Sequence, residues 1–115
     1  MLRRPLLLLF LLLAGCSKGP EADLPYISGA RSLAAEWALV NEQASEGHLT
    51  GAYVRTMRKA VRQQLQTNSK SLTDPSAPYA QEIAALLREP TDAQPAELRT
   101  HASKLKQIED RLESS

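Results

Sequence analysis

The sequence predicts an all-α fold, a small bundle of four amphipathic helices arranged as two antiparallel hairpins. Three observations lead there. Beyond residue 27 the apolar residues recur at intervals of three and four in four separate windows, the period of a helix with one buried face. Leu and Ala dominate the apolar set and aromatics make up only 4% of the chain, a composition that favours helix over strand. The links between windows are short and carry Gly or Pro, which end helices and leave room only for antiparallel neighbours.

The first helix is expected from Ser28, a good N-cap, to about Glu46. Ala30, Leu33, Trp37, Val40 and Ala44 fall on one face. Gly47 follows the last periodic residue, where a left-handed terminator belongs, so the chain must turn tightly through His48 and Leu49. Thr50 can cap the second helix, with Tyr53, Val54, Met57, Ala60, Val61 and Leu65 as its inner face and Leu72 continuing the phase. Asp74-Pro75-Ser76-Ala77-Pro78 breaks the chain and starts a third, shorter helix whose stripe is Tyr79, Ile83, Leu86 and Leu87. Pro90 stops that helix. Pro95 is a natural first residue for the fourth, Glu97 suits its positive start, and Leu98, Ala102, Leu105, Ile108 and Leu112 form its buried face to about residue 113.

Upstream of the bundle the chemistry is different. Arg3-Arg4 precedes an apolar run from Leu6 to Leu13, which closes on Leu13-Ala14-Gly15-Cys16. A membrane-spanning helix needs roughly 20 consecutive apolar residues, and this run is far shorter. A basic start, a compact apolar core and small residues before a cut site form an export pattern. Cys16 is the single cysteine of the chain, so no disulfide can form within it, and a lone thiol in an oxidising compartment needs another use.

Residues 1–17 resemble a bacterial lipoprotein signal, with Leu13, Ala14, Gly15 and Cys16 as the lipobox. That resemblance implies cleavage after Gly15 and acylation of Cys16, which would carry a covalent diacylglycerol and an N-acyl chain; no other cofactor is expected. It also implies sorting to the periplasmic face of the outer membrane in preference to the inner membrane, because Ser17 and not Asp follows the cysteine. The domain plan is then a cleaved signal over 1–15, an acylated cysteine and flexible tether over 16–27, and a helical bundle over 28–113. Gly19, Pro20 and Pro25 argue for the tether, which at about 3.5 Å per residue reaches roughly 40 Å. Tyr26 and Ile27 are expected to fold back onto the bundle.

Charge narrows the function. The full chain carries 14 Lys+Arg against 13 Asp+Glu, and removing Arg3 and Arg4 leaves the remainder slightly acidic. No bulk charge favours nucleic acid as a partner. The most organised polar feature is on the second helix, where Arg55, Arg58, Lys59 and Arg62 share one face and no acidic residue occurs between Glu46 and Asp74. That helix cannot neutralise itself by local pairs. It can pair across the hairpin, which sets Glu42 near Arg55 and Glu36 near Arg62, or hold an anionic partner such as a glycolipid phosphate, peptidoglycan carboxylates or an acidic protein. Arg58 and Lys59 are expected to stay free.

The remaining candidates have plainer readings. His48 lies in a turn and His101 beside the apolar stripe of the fourth helix, neither at metal-ligand spacing. Glu36, next to Trp37, is one carboxylate without a second group to work with. Trp37 itself is expected in the core. Leu39 points away from the Leu33-Trp37-Val40 stripe, either toward a second neighbouring helix or toward a docked protein. The whole describes a non-catalytic envelope lipoprotein, an adaptor or assembly protein, with binding of lipopolysaccharide or peptidoglycan through the basic face as the alternative.

Overall fold

The computed structural model describes residues 20–114. They form four helices: α1 (Pro20–Ser45), α2 (Gly51–Ser71), α3 (Pro78–Leu87) and α4 (Pro95–Glu113), with no strand among the described residues. None of these helices is long and apolar enough to cross a membrane.

Cross-helix contacts fix the directions. Arg31 meets Glu109 and Glu42 meets Arg99, so α1 and α4 run antiparallel. Asp23 meets Thr73, Trp37 meets Arg62 and Asn41 meets Arg58, so α1 and α2 run antiparallel as well. α3 returns alongside α2 and turns into α4. The result is an up-down-up-down bundle in which α1 makes its widest contact with α4 and its next with α2, while the backbones of α2 and α4 do not approach closely. Ala30, Ala34 and Ala38 are buried on α1. Trp37, Ile27, Leu65, Ile83, Leu86, Leu98 and Leu105 are the large side chains of the core.

The links behave as local chemistry dictates. Gly47 adopts φ 75°; its N–H donates to Ala44 O and that of His48 to Gln43 O, the paired bonds of a Schellman motif. Thr50 caps α2, its Oγ1 accepting from Tyr53 N at 3.2 Å. Pro78 and Pro95 open α3 and α4, where a missing N–H costs no helical bond. Asp74 does not cap α3: its Oδ1 accepts from Ser76 N and Oγ, and Ala77 holds the N-cap position without a side-chain bond.

The start of α1 corrects the tether. Residues 20–27, expected within it, are helical, and Ser28 lies inside a helix instead of capping one. Pro20 loses no helical bond there, and Glu21 and Asp23 sit favourably in the first turn. Pro25 lies within the helix and removes one bond to the carbonyl of Glu21, a fault that costs roughly 3 kcal/mol in a helix interior. Burial offsets it. Asp23, Ile27, Ala30, Ala34, Trp37 and Asn41 are all buried and alternate in steps of four and three, so the seam that holds the middle of α1 extends unbroken to its first turn. On α2, Tyr53 and Ala60 are exposed, not inward as expected, because the inner stripe is the narrower Val54, Val61 and Leu65.

Candidate functional site

The site begins with Asn41, a buried amide on the apolar seam of α1. Its Nδ2 donates to Thr91 O at 3.1 Å and Ala93 O at 2.8 Å, and its Oδ1 accepts from Arg58 Nε at 2.8 Å. One side chain thus joins α1, α2 and the link between α3 and α4. Trp37, one turn earlier, donates from Nε1 to the same Thr91 O at 2.9 Å. A buried amide or indole without such partners would lose about 1–3 kcal/mol.

Arg62 is the second fixed point. Its guanidinium donates to Leu87 O at 3.0 Å and Glu89 O at 3.1 Å, carbonyls left over at the end of α3, and lies over the Trp37 ring. The positive charge also suits the negative end of that helix. Arg58 and Arg62 are half-buried while Arg55 and Lys59 are exposed.

These four cations, with Gln63, Gln66 and Thr91, line one open groove of about 380 Å³. No carboxylate lines it, and among the described residues none of the four forms an ion pair with Asp or Glu. The expected hairpin pairs do not form. Glu42 binds Arg99 of α4 at 2.9 Å, and Glu36 is exposed; the face α1 turns toward α2 carries Trp37 and Asn41 instead. Arg58 departs from expectation too, since its Nε is engaged by Asn41. Lys59 makes no such bond.

Asp23 and Tyr79 form a separate buried pair at the opposite end of α1. The Asp23 carboxylate accepts from Tyr79 Oη at 2.6 Å, Thr73 N at 2.9 Å and Thr73 Oγ1 at 3.1 Å. Burial alone would raise the carboxyl pKa, but the hydrogen bonds from Tyr79, Thr73 and the Asp74 backbone outweigh it and hold it below its ordinary value. Burial, and then the bond to the neighbouring carboxylate, push the Tyr79 hydroxyl well above its own. The pair is a buried latch between α1 and α3.

His101 is more engaged than a ring merely packed at the edge of the core. Its Nδ1 faces Glu82 and its Nε2 lies 2.7 Å from Glu89 Oε2, tying α4 to α3 and to the link after it. His48 is exposed and lies 2.8 Å from Gln43 Oε1. Leu39 is 51% exposed, so it does not face a second helix; a single exposed leucine is ordinary surface. Leu13, Ala14, Gly15 and Cys16, expected as a lipobox, lie outside the described residues.

The four cations stand out along the sequence as one helix face, whereas the two buried polar residues, Asp23 and Asn41, do not. The signal was present for both: Asp23 is four residues before Ile27 and Asn41 four after Trp37, polar side chains in step with an apolar stripe. Compared with family models, with curated proteins and with solved structures, the chain has no significant match.

Proposed function

We propose that the protein is a non-catalytic envelope lipoprotein whose helical domain holds an anionic partner in the α2 groove. The observation that carries this reading is the convergence of Arg55, Arg58, Lys59 and Arg62 on one groove lined by no carboxylate. A solvated basic face needs no concavity and no fixed side chains. Here two of the cations are held from behind by Asn41 and by the end of α3, so less ordering is left for a ligand to impose.

The position of the groove fits an adaptor. Arg58 and Arg62 lie level with Asn41 and Trp37 of α1, which at 1.5 Å per helical residue is roughly 25–30 Å beyond Pro20. The lipid expected on Cys16 belongs to the Pro20 end of the domain. A protein so built, anchored to the periplasmic face of the outer membrane, would connect that membrane to an anionic polymer or protein some distance from it.

The test uses full-length protein carrying Arg55→Glu and Lys59→Glu, the two cations that hold no part of the fold. Retention on isolated sacculi and on lipopolysaccharide is compared with the native chain at low and physiological salt. Native retention should fall as salt rises, since the screening length shortens to about 8 Å at physiological ionic strength, and the variant should already be weak at low salt. Equal retention of both proteins would overturn the reading.

A further inference from the structure

The groove's own chemistry narrows the anion, provided that the reading of it as an anion site holds. We propose that it recognises a phosphate monoester borne on a sugar.

Charge is the first reason. One carboxylate is satisfied by a single guanidinium fork, whereas this groove concentrates three guanidinium groups and an ammonium. A phosphate monoester brings about −1.5 to −2 charges and three acceptor oxygens. The available donors match that number. Arg58 spends Nε on Asn41 and keeps both terminal nitrogens for a fork, while Lys59 and Arg55 stand on the exposed side of the same groove. Arg62 has its terminal nitrogens on Leu87 O and Glu89 O, so it contributes charge from a fixed position more than further bonds.

The neutral rim is the second reason. Gln63, Gln66 and Thr91 share the lining with the cations, and amides and hydroxyls donate and accept in the way that sugar hydroxyls require. An extended polyanion such as an acidic peptide would be better served by further cations at those positions. Size agrees: about 380 Å³ lies at the lower end of the roughly 300–1,000 Å³ usual for small-ligand sites, enough for one phosphorylated sugar ring.

Trp37 gives the site a built-in reporter, because it is the one tryptophan of the chain and lies beneath Arg62. Full-length protein in a neutral detergent is titrated with glucose 6-phosphate, inorganic phosphate, glucuronate and glucose, and followed by Trp37 emission and by calorimetry. A parallel arm uses neutral-lipid vesicles with and without a phosphorylated glycolipid. Glucose 6-phosphate or the glycolipid vesicles should bind at least about tenfold more tightly than glucuronate, the worth of a single charge-assisted bond. Lys59→Gln should remove about as much. Binding only in the vesicle arm would identify a lipid headgroup as the source, and binding in solution a free or polymer-borne sugar phosphate.

Equal affinity for glucuronate would overturn the phosphate assignment and leave the anion site standing. So would silence in every titration while Arg55→Glu with Lys59→Glu still abolishes envelope retention. Silence together with unchanged retention would remove both.

Discussion

The guanidinium of Arg62 lies over the indole of Trp37, 5.7 Å from the ring centroid, and so joins the floor of the basic groove to the centre of the hydrophobic core. Such a contact contributes about 0.5–1 kcal/mol when exposed and about 2 when desolvated. Its larger consequence is positional. Arg62 cannot swing out to solvent without leaving Trp37 and the carbonyls of Leu87 and Glu89 together, so the charge at that end of the groove is set by packing.

Trp37→Ala should therefore act on both fold and site. Deleting a buried indole costs about 3–5 kcal/mol and frees Arg62 as well. Trp37→Phe keeps a ring beneath the guanidinium and loses the N–H donated to Thr91 O, with about 1 kcal/mol from that bond and a smaller packing loss. Urea denaturation of the two variants should separate them by at least about 2 kcal/mol. A native-like curve for Trp37→Ala would contradict the buried position of the indole.

The latch of Asp23 and Tyr79 should give the fold a stability profile that falls at both ends of the pH scale. The Asp23 carboxyl is held below its unfolded value of 3.8, so its contribution is complete above that value and is lost as pH drops through the lower folded one. The Tyr79 hydroxyl is held above its unfolded value of 10.0, so its contribution is complete below 10.0 and declines as pH rises beyond it. Tyr79→Phe should remove the alkaline decline and cost about 1.5–3 kcal/mol at neutral pH. Asp23→Asn should flatten the acid limb. Thermal melts across the pH range check both, and an unaltered alkaline limb in Tyr79→Phe would count against the latch.

Two glycine substitutions should have opposite signs. Gly47 has φ 75°, and a β-carbon there costs roughly 1–2 kcal/mol, so Gly47→Ala should destabilise. Gly29 is helical, and a β-carbon would meet only the side chain of Asn68, Nδ2 at 2.9 Å and Cγ at 3.9 Å, the end of a half-buried side chain that can turn away. Gly29→Ala should then stabilise by about 0.5–1 kcal/mol. A loss at Gly29 would show Asn68 to be fixed where it stands.

Processing at Cys16 is the prediction on which the anchor depends. Protein purified from native cells should begin at Cys16 and carry acyl chains, which add about 0.8 kcal/mol of membrane affinity per buried CH₂. Intact mass reads this directly, and Cys16→Ser should remain uncut. A mature chain with a free Cys16 thiol would remove the anchor from the proposed function.

Four helices and their links were legible along the chain because the signals that make them act over one turn: the left-handed glycine at Gly47, the hydroxyl of Thr50, the prolines at Pro78 and Pro95, and the three-and-four recurrence of Leu and Ala. The cations of α2 were legible for the same reason, as neighbours on one helix face. The fate of each polar side chain was not. Pro20–Ile27 reads locally as a broken tether, and it is helical because Asp23 and Ile27 meet Thr73, Tyr79 and the core, partners about fifty residues away. Asn41 reads as an interruption in an apolar stripe, yet it holds Thr91, Ala93 and Arg58 in one cluster. Arg58 and Arg62 became fixed walls of a groove, and not freely solvated charges, only when α1 and the end of α3 were brought against them. A local pattern sets the face on which a residue lies; whether a polar group on that face is stabilised there depends on donors and acceptors supplied by distant segments, since burial without them costs more than most single contacts return.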